Sequence, residues 1–235
     1  MPLLSLLQLR QGFAHMFFPV LCEGCRRPLI DGEQVLCLSC CLEVPETGYH
    51  SRHDNDTEQR FSGRFPFVRA TSWAWFTADG LLQHLVHALK YHNRPEIGTW
   101  LGTRLGEQLM AAGWAHDTHM VIPVPLHPTR QATRGYNQSS IIAASLAAAM
   151  QLPTGNDHLH RIRKTDSQTQ KTRTERAENM AGAFEVRDAA HIAGRHILLI
   201  DDVLTTGATL EACALALLTV PGVKISIATI GIAVS

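Results

Sequence analysis

The chain has 235 residues, 45% hydrophobic and 18% charged, a profile that excludes a disordered protein and fits a globular one. Lysine plus arginine and aspartate plus glutamate balance at 21 each, so total charge argues for no particular partner. No run of about 18 apolar residues occurs, which argues against a membrane span, and the length allows one substantial domain plus a small one.

The N-terminus carries Leu3, Leu4, Leu6, Leu7, Leu9, Phe13, Met16, Phe17 and Phe18, and at first sight suggests a secretion signal. Arg10, Gln11 and His15 break its apolar core and no small-residue cleavage site follows, so residues 3–18 read as an amphipathic helix. The large Leu21 before Cys22 argues against a lipoprotein site. The expected location is cytoplasmic.

Two C-x2-C knuckles come next, Cys22-Glu23-Gly24-Cys25 and Cys37-Leu38-Ser39-Cys40, separated by eleven residues. That spacing lets two thiolates from each knuckle share one tetrahedral zinc, with Gly24 suited to the tight turn in the first. Four cysteine ligands leave no position for water, so Cys22, Cys25, Cys37 and Cys40 are expected to hold a structural Zn²⁺. The short spacer is expected to form a hairpin over Arg27–Leu36, turning at Asp31-Gly32. Cys41 reads as unligated, and Cys213 as a packing residue in a later helix. A small N-terminal zinc ribbon is thus expected over residues 1–45.

Residues 46–66, with Gly48, Asp54-Asn55-Asp56 and Gly63, read as a linker. The main domain is expected over residues 67–235. It opens with a strand, Ala70–Phe76, followed by amphipathic helices at Leu81–Leu89 and Ile97–Met110. Met120–Pro125 reads as a buried strand stopped by its prolines. A loop holding Arg130, Arg134 and Gly135 then precedes an Ala-rich helix, Ser139–Met150, and is a candidate anion-binding arrangement. Residues 161–176 are polar and basic, with a net charge of plus four, and predict a mobile loop or a poorly anchored helix. The Val/Ile-rich stretch Val223–Val234 reads as the last strand.

The most informative stretch is His196–Leu210. Ile197–Ile200 and Val203 predict a strand buried on both faces, as in a parallel sheet covered by helices. Asp201 and Asp202 end it, Thr205, Thr206 and Thr209 supply hydroxyls, and Gly207 permits a sharp turn into an Ala/Leu-rich helix over Ala208–Leu218. Converging N–H groups at a helix N-terminus form an anion site, with phosphate the usual occupant. Two acids beside it would repel a bare phosphate and make sense if they face hydroxyls or a metal.

This stretch resembles the 5-phosphoribosyl-1-pyrophosphate (PRPP) signature of type I phosphoribosyltransferases. The chain as a whole resembles the ComF/GntX family of competence- and DNA-utilisation-associated proteins. The paired knuckles, Leu89-Lys90-Tyr91, Ile122–His127, Arg134–Ser139, Arg176 with Asn179, Gly182-Ala183-Phe184 and the signature carry that likeness, in that order. Lys171 departs from the family pattern, as does the short tail after Ile232, which lacks a basic ending.

The resemblance implies an α/β fold: a type I phosphoribosyltransferase-like parallel sheet flanked by helices, with its ligand site at the carboxyl ends of the strands. It implies that Asp201 and Asp202 bind the ribose hydroxyls and that any catalysis centres on them. Val203, Leu204, Thr205, Thr206, Gly207, Ala208 and Thr209 would complete the PRPP site around the 5-phosphate. Pro125, Leu126, His127, Arg130, Arg134 and Gly135 would face pyrophosphate, with Mg²⁺ accompanying PRPP, and the basic stretch would close over the site. Two function classes follow. One is transfer of phosphoribose from PRPP to an unidentified acceptor in the uptake or use of extracellular DNA. The other is a non-catalytic module on the same fold, sensing PRPP or handling single-stranded DNA or contacting DNA-uptake proteins.

Overall fold

The structure, a computed structural model, describes residues 19–163 and 182–234, and the chain divides into two units, Met1–Val44 and Pro45–Ser235. The helix expected over 3–18 and most of the basic stretch, together with Arg176, Asn179 and Lys171, lie outside the described residues.

In the first unit the chain doubles back so that Leu21 bridges Pro28, with the Cys22 N–H donating to the Arg27 carbonyl at 2.9 Å. The left-handed residue of this knuckle is Arg26 (φ 63°), two positions beyond Gly24. The hairpin expected over Arg27–Leu36 is not formed. Asp31-Gly32 do turn, but no strand ladder spans that stretch among the described residues. The Glu33 carboxylate instead accepts from the N–H groups of Ile30 (3.0 Å) and Leu38 (2.7 Å), which holds the first turn of α1 (Leu38–Leu42) and with it Cys40.

The second unit contains, in order, α2 (Asp56–Phe61), β1 (Ala70–Phe76), α3 (Leu81–Tyr91), α4 (Pro95–Ala111), β2 (Met120–Pro123), α5 (Pro128–Arg134), α6 (Gln138–Met150), β3 (Leu159–Arg161), β4 (Phe184–Val186), α7 (Ala189–Ile192), β5 (His196–Leu204), α8 (Ala208–Leu218) and β6 (Lys224–Ala233). Four strands form a parallel sheet in the order β1-β6-β5-β2, and β3 pairs with β4 in a two-stranded antiparallel ribbon. Alternation along β5 sends Ile197 and Leu199 into one core with Leu210, Cys213, Ala214 and Leu217 of α8, while Leu198 and Ile200, also fully buried, face the side that α6 covers. Both faces of the strand are apolar because both are covered.

Residues 46–66 are not a linker. Asn55 caps α2, its side-chain oxygen accepting from the N–H groups of Thr57 and Glu58 at 3.0 and 3.1 Å. Phe61 is fully buried in the core beside Phe65. The segment earns its order from these aromatic rings, which its polar composition conceals.

Helices α4 and α6 approach along Gly98, Gly102 and Gly106. A Cβ on Gly102 would lie 2.3 Å from the Ile142 carbonyl oxygen, and one on Gly106 would lie 2.7 Å from that of Leu146. Backbone cannot yield as a side-chain tip can, so Gly102→Ala is expected to destabilise the protein by about 2–3 kcal/mol in urea unfolding. Stability unchanged from the parent would mean that the two helices pack less closely than this.

Candidate functional site

The acid pair lies within β5 rather than beyond it, since the strand continues to Leu204 and pairs Asp201 with Thr229 of β6. Asp202 is 5% exposed. Its Oδ2 accepts from the Gln138 amide at 2.8 Å and is ion-paired with Lys90 at 2.8 Å. Asp201 Oδ1 accepts from the Ser139 hydroxyl and from the Asp202 N–H, both at 2.9 Å. Gln138 and Ser139 open α6, whose positive N-terminal end therefore faces the carboxylates. Asn137 fixes that end, its oxygen accepting from the Ser139 N–H at 3.1 Å and its amide donating to the Val124 carbonyl at 3.0 Å.

Burial, and then the adjacent charge of Asp202, push the Asp201 carboxyl up to about 7. The folded chain thus holds this proton more tightly than the unfolded chain, where the ordinary value is 3.8. The stabilisation is complete below pH 4 and is lost as pH rises to about 7. Between pH 5 and pH 8, the wild-type urea midpoint should fall relative to that of Asp201→Asn; parallel profiles would refute the shift.

The loop that follows is held from behind by two arginines of the supposed linker. Arg60 donates to the carbonyls of Thr205 (2.6 Å) and Ala233 (2.9 Å), and Arg64 donates to the Thr206 carbonyl (2.9 Å) and to Glu211 (3.2 Å). In a trans peptide the next N–H points opposite to the carbonyl, so this clamp aims the N–H groups of Thr206 and Gly207 away from α2. Gly207 is left-handed (φ 79°), and α8 begins there with no side-chain cap. A Cβ at Gly207 would lie 2.8 Å from the Phe61 ring, so glycine is needed for space as well as for backbone angle. The result is a helix N-terminus that Gly207 itself cannot cap, where the Ala208 N–H makes only a long 3.5 Å contact to the Thr206 hydroxyl, and it is suited to a phosphate. Leu204 is fully buried and Ala208 9% exposed, so these two line the site through backbone, not side chain. Thr205 is exposed, and Val203, Thr206 and Thr209 are half-buried. On the carbonyl side of the loop, Arg60, Arg64, Trp75, Thr206 and Ile232 border a separate cavity of about 680 Å³.

The stretch Pro125–Gly135 is not all loop, since α5 occupies Pro128–Arg134. His127 caps it, Nδ1 accepting from the Thr129 N–H at 3.3 Å, and Gly135 ends it in the left-handed region (φ 87°). Pro125 and Leu126 are half-buried and Arg130 is exposed. Arg134 donates to Gln138 Oε1 and lies over the Tyr91 ring at 5.4 Å. Arg161, from the start of the basic stretch, sits over the Phe184 ring at 5.6 Å. Burial, and then the charge of Arg130, lower its guanidinium from its ordinary value. Sequence reading missed Arg60, Arg64, Lys90, Gln138 and Ser139 as site residues.

In the first unit the Sγ atoms of Cys22, Cys25, Cys37 and Cys40 all lie within 4.8 Å of one another, with those of Cys25 and Cys37 at 3.6 Å. The edge of a tetrahedron with Zn–S bonds of ~2.3 Å is about 3.8 Å, so the cluster fits a structural zinc. The Cys40 N–H and then Arg27, whose Nη2 lies 3.1 Å from the sulfur, bring the Cys37 thiol down to about 6. Burial works to raise Cys22, but the N–H groups of Cys37, Cys25 and Gly24 outweigh it and the net shift is down. Burial, and then the neighbouring cysteine side chains, raise Cys40. Cys41 points instead at the Leu36 carbonyl (3.8 Å), and Cys213 is fully buried against the core.

The parallel sheet flanked by helices is a phosphoribosyltransferase-like α/β fold, and residues 136–235 match the phosphoribosyl transferase domain family. Over most of its length the chain is homologous to proteins named for competence and DNA utilisation. It is 29% identical over 211 residues to the DNA utilization protein YhgH of Salmonella typhimurium, covering 85% of this chain and 91% of that protein. With competence protein F of Haemophilus influenzae it shares 28% over 209 residues, 83% of this chain and 89% of the other. Competence protein ComFC of Bacillus subtilis is 36% identical over 103 residues, 43% of this chain and 40% of that one. These relatives bear out the resemblance drawn from the motifs.

Proposed function

We propose that the chain binds PRPP with Mg²⁺ at the carboxyl ends of β5 and β2, and that it acts in the cytoplasm as a phosphoribosyltransferase on an acceptor still to be identified. The observation that carries this is the joining, at one strand end, of a buried acid pair to a Gly207 helix start preceded by a loop whose carbonyls are held from behind by Arg60 and Arg64. Asp201 and Asp202 accept from the ribose hydroxyls, and the N–H groups of 206–209 take the 5-phosphate. Arg134 and Arg130 face pyrophosphate. Mg²⁺, which favours phosphate oxygens plus one or two carboxylates, fits this donor set, and when bound it neutralises charge on the pyrophosphate. The chain's own residues orient the sugar and hold the departing negative charge, which is most of what such a displacement requires.

Calorimetric titration of the full chain with PRPP and Mg²⁺ should give one site per chain; absence of binding at millimolar ligand would remove the proposal. A second reading, single-stranded DNA handling, draws on the names of the relatives and on the basic composition of residues 161–176. It requires single-stranded DNA affinity that falls steeply as salt rises.

A further inference from the structure

The C-terminal turn of α3 ends at the acid pair. Lys90 Nζ lies 2.8 Å from Asp202 Oδ2, with 22% of the lysine side chain and 7% of the aspartate side chain exposed. The same oxygen accepts from the Gln138 amide, whose own oxygen accepts from Arg134. Arg134 in turn covers the ring of Tyr91, the neighbour of Lys90, and the Tyr136 hydroxyl donates to the Leu89 carbonyl. The end of α3 is therefore tied to both flanks of Arg134, and two cations converge on one carboxylate oxygen, one directly and one through an amide.

This arrangement bears on ligand entry. With Lys90 and Gln138 both on Oδ2, that oxygen is already committed before any sugar hydroxyl or metal arrives. Gln138 is fixed by the first turn of α6 and by Arg134. Lys90 carries its charge on a flexible stem with rotatable donors, so it is the partner able to leave. A pyrophosphate beside Arg134 holds more negative charge than one carboxylate and would draw the ammonium towards itself.

Building on the proposed PRPP site, we infer that Lys90 is an exchangeable cation. It neutralises Asp202 in the free chain and moves to the pyrophosphate group when the ligand binds, which releases Asp202 to the sugar. Lys90 is then a pyrophosphate-binding residue, and its exchange couples the two halves of the site.

The test titrates inorganic pyrophosphate and ribose 5-phosphate separately into the full chain and its variants. Asp202→Asn frees Lys90 and should tighten pyrophosphate by about fivefold or more, whereas Lys90→Met should weaken it by about tenfold or more. In the Asp202→Asn/Lys90→Met double variant the tightening should vanish. That variant leaves no unpaired charge, so it serves if Lys90→Met alone fails to fold. Ribose 5-phosphate, which has no pyrophosphate to draw Lys90 away, should bind Lys90→Met at least as tightly as the parent; a fixed structural counter-ion would weaken both ligands alike. Equal pyrophosphate affinity in Asp202→Asn and in the double variant, with ribose 5-phosphate still bound by the parent, overturns the role of Lys90 alone. Failure of the parent to bind either ligand overturns the proposed function and this inference with it.

Discussion

Replacing both Asp201 and Asp202 by asparagine is expected to weaken Mg²⁺–PRPP binding by at least about 100-fold, because it removes the charged acceptors for the ribose hydroxyls and for a bridging cation. The loss will not come from unfolding. Asp201 holds its carboxyl in a place that already disfavours charge, as its elevation to about 7 records, and an amide oxygen can still accept from Ser139 and from the N–H of residue 202. Asp202 is the more sensitive of the two in the free chain, since Asp202→Asn would leave the Lys90 ammonium without its charged partner at 2.8 Å. The lysine side chain is 22% exposed and its ammonium can turn to water, which limits the cost. Thermal unfolding of the double variant should therefore stay close to that of the parent while calorimetric binding disappears. Retained PRPP affinity in a folded double variant would exclude the acid pair from the site.

The second large effect is on the first unit. Removing zinc with a strong chelator, or replacing Cys37 by serine, should unfold residues 19–44, because their own apolar burial is small. Among the described residues of this unit the buried side chains are Cys22, Val35, Leu36, Cys37, Cys40 and Val44, with Glu23, too few to form a core of their own. Binding of zinc to four cysteines is worth on the order of 10 kcal/mol in small domains and is largely folding free energy. Cys37 is the sharpest point of attack. Its sulfur is approached by Arg27 at 3.1 Å, and its N–H donates to the Cys22 sulfur at 3.3 Å. One zinc per chain should be released on titration with a thiol-modifying reagent, and the amide resonances of residues 19–44 should collapse together. Dispersed resonances in the metal-free protein would show that the cluster is not structural.

Much of this was legible in the sequence. The four sheet strands, the paired knuckles and the acid-pair–Thr/Gly–helix order are local patterns, and periodicity or spacing reveals them directly. What was not legible is long-range. Arg60 and Arg64 meet the loop across more than a hundred residues, and their segment looked like a linker because Asp54-Asn55-Asp56 and Gly63 dominate its composition. A signal was present: Asn55 with Glu58 three positions on begins a capping pattern, and Phe61, Phe65 and Phe67 follow it. Lys90 and Gln138 stood inside recognisable motifs, yet nothing local indicates that both close on Asp202. The hairpin expected between the knuckles failed for a different reason. Glu33 captures the N–H groups of Ile30 and Leu38, which directs the chain into α1 instead of a second strand.

The proposed site depends on the Thr205–Thr209 loop cradling a sugar phosphate. Amide chemical-shift mapping with ribose 5-phosphate tests it most directly. The prediction is saturable downfield shifts confined to the N–H groups of 206–209 and to the side chains around Asp201 and Asp202, lost in Gly207→Val. Shifts that fall elsewhere, or that survive that substitution unchanged, would contradict it.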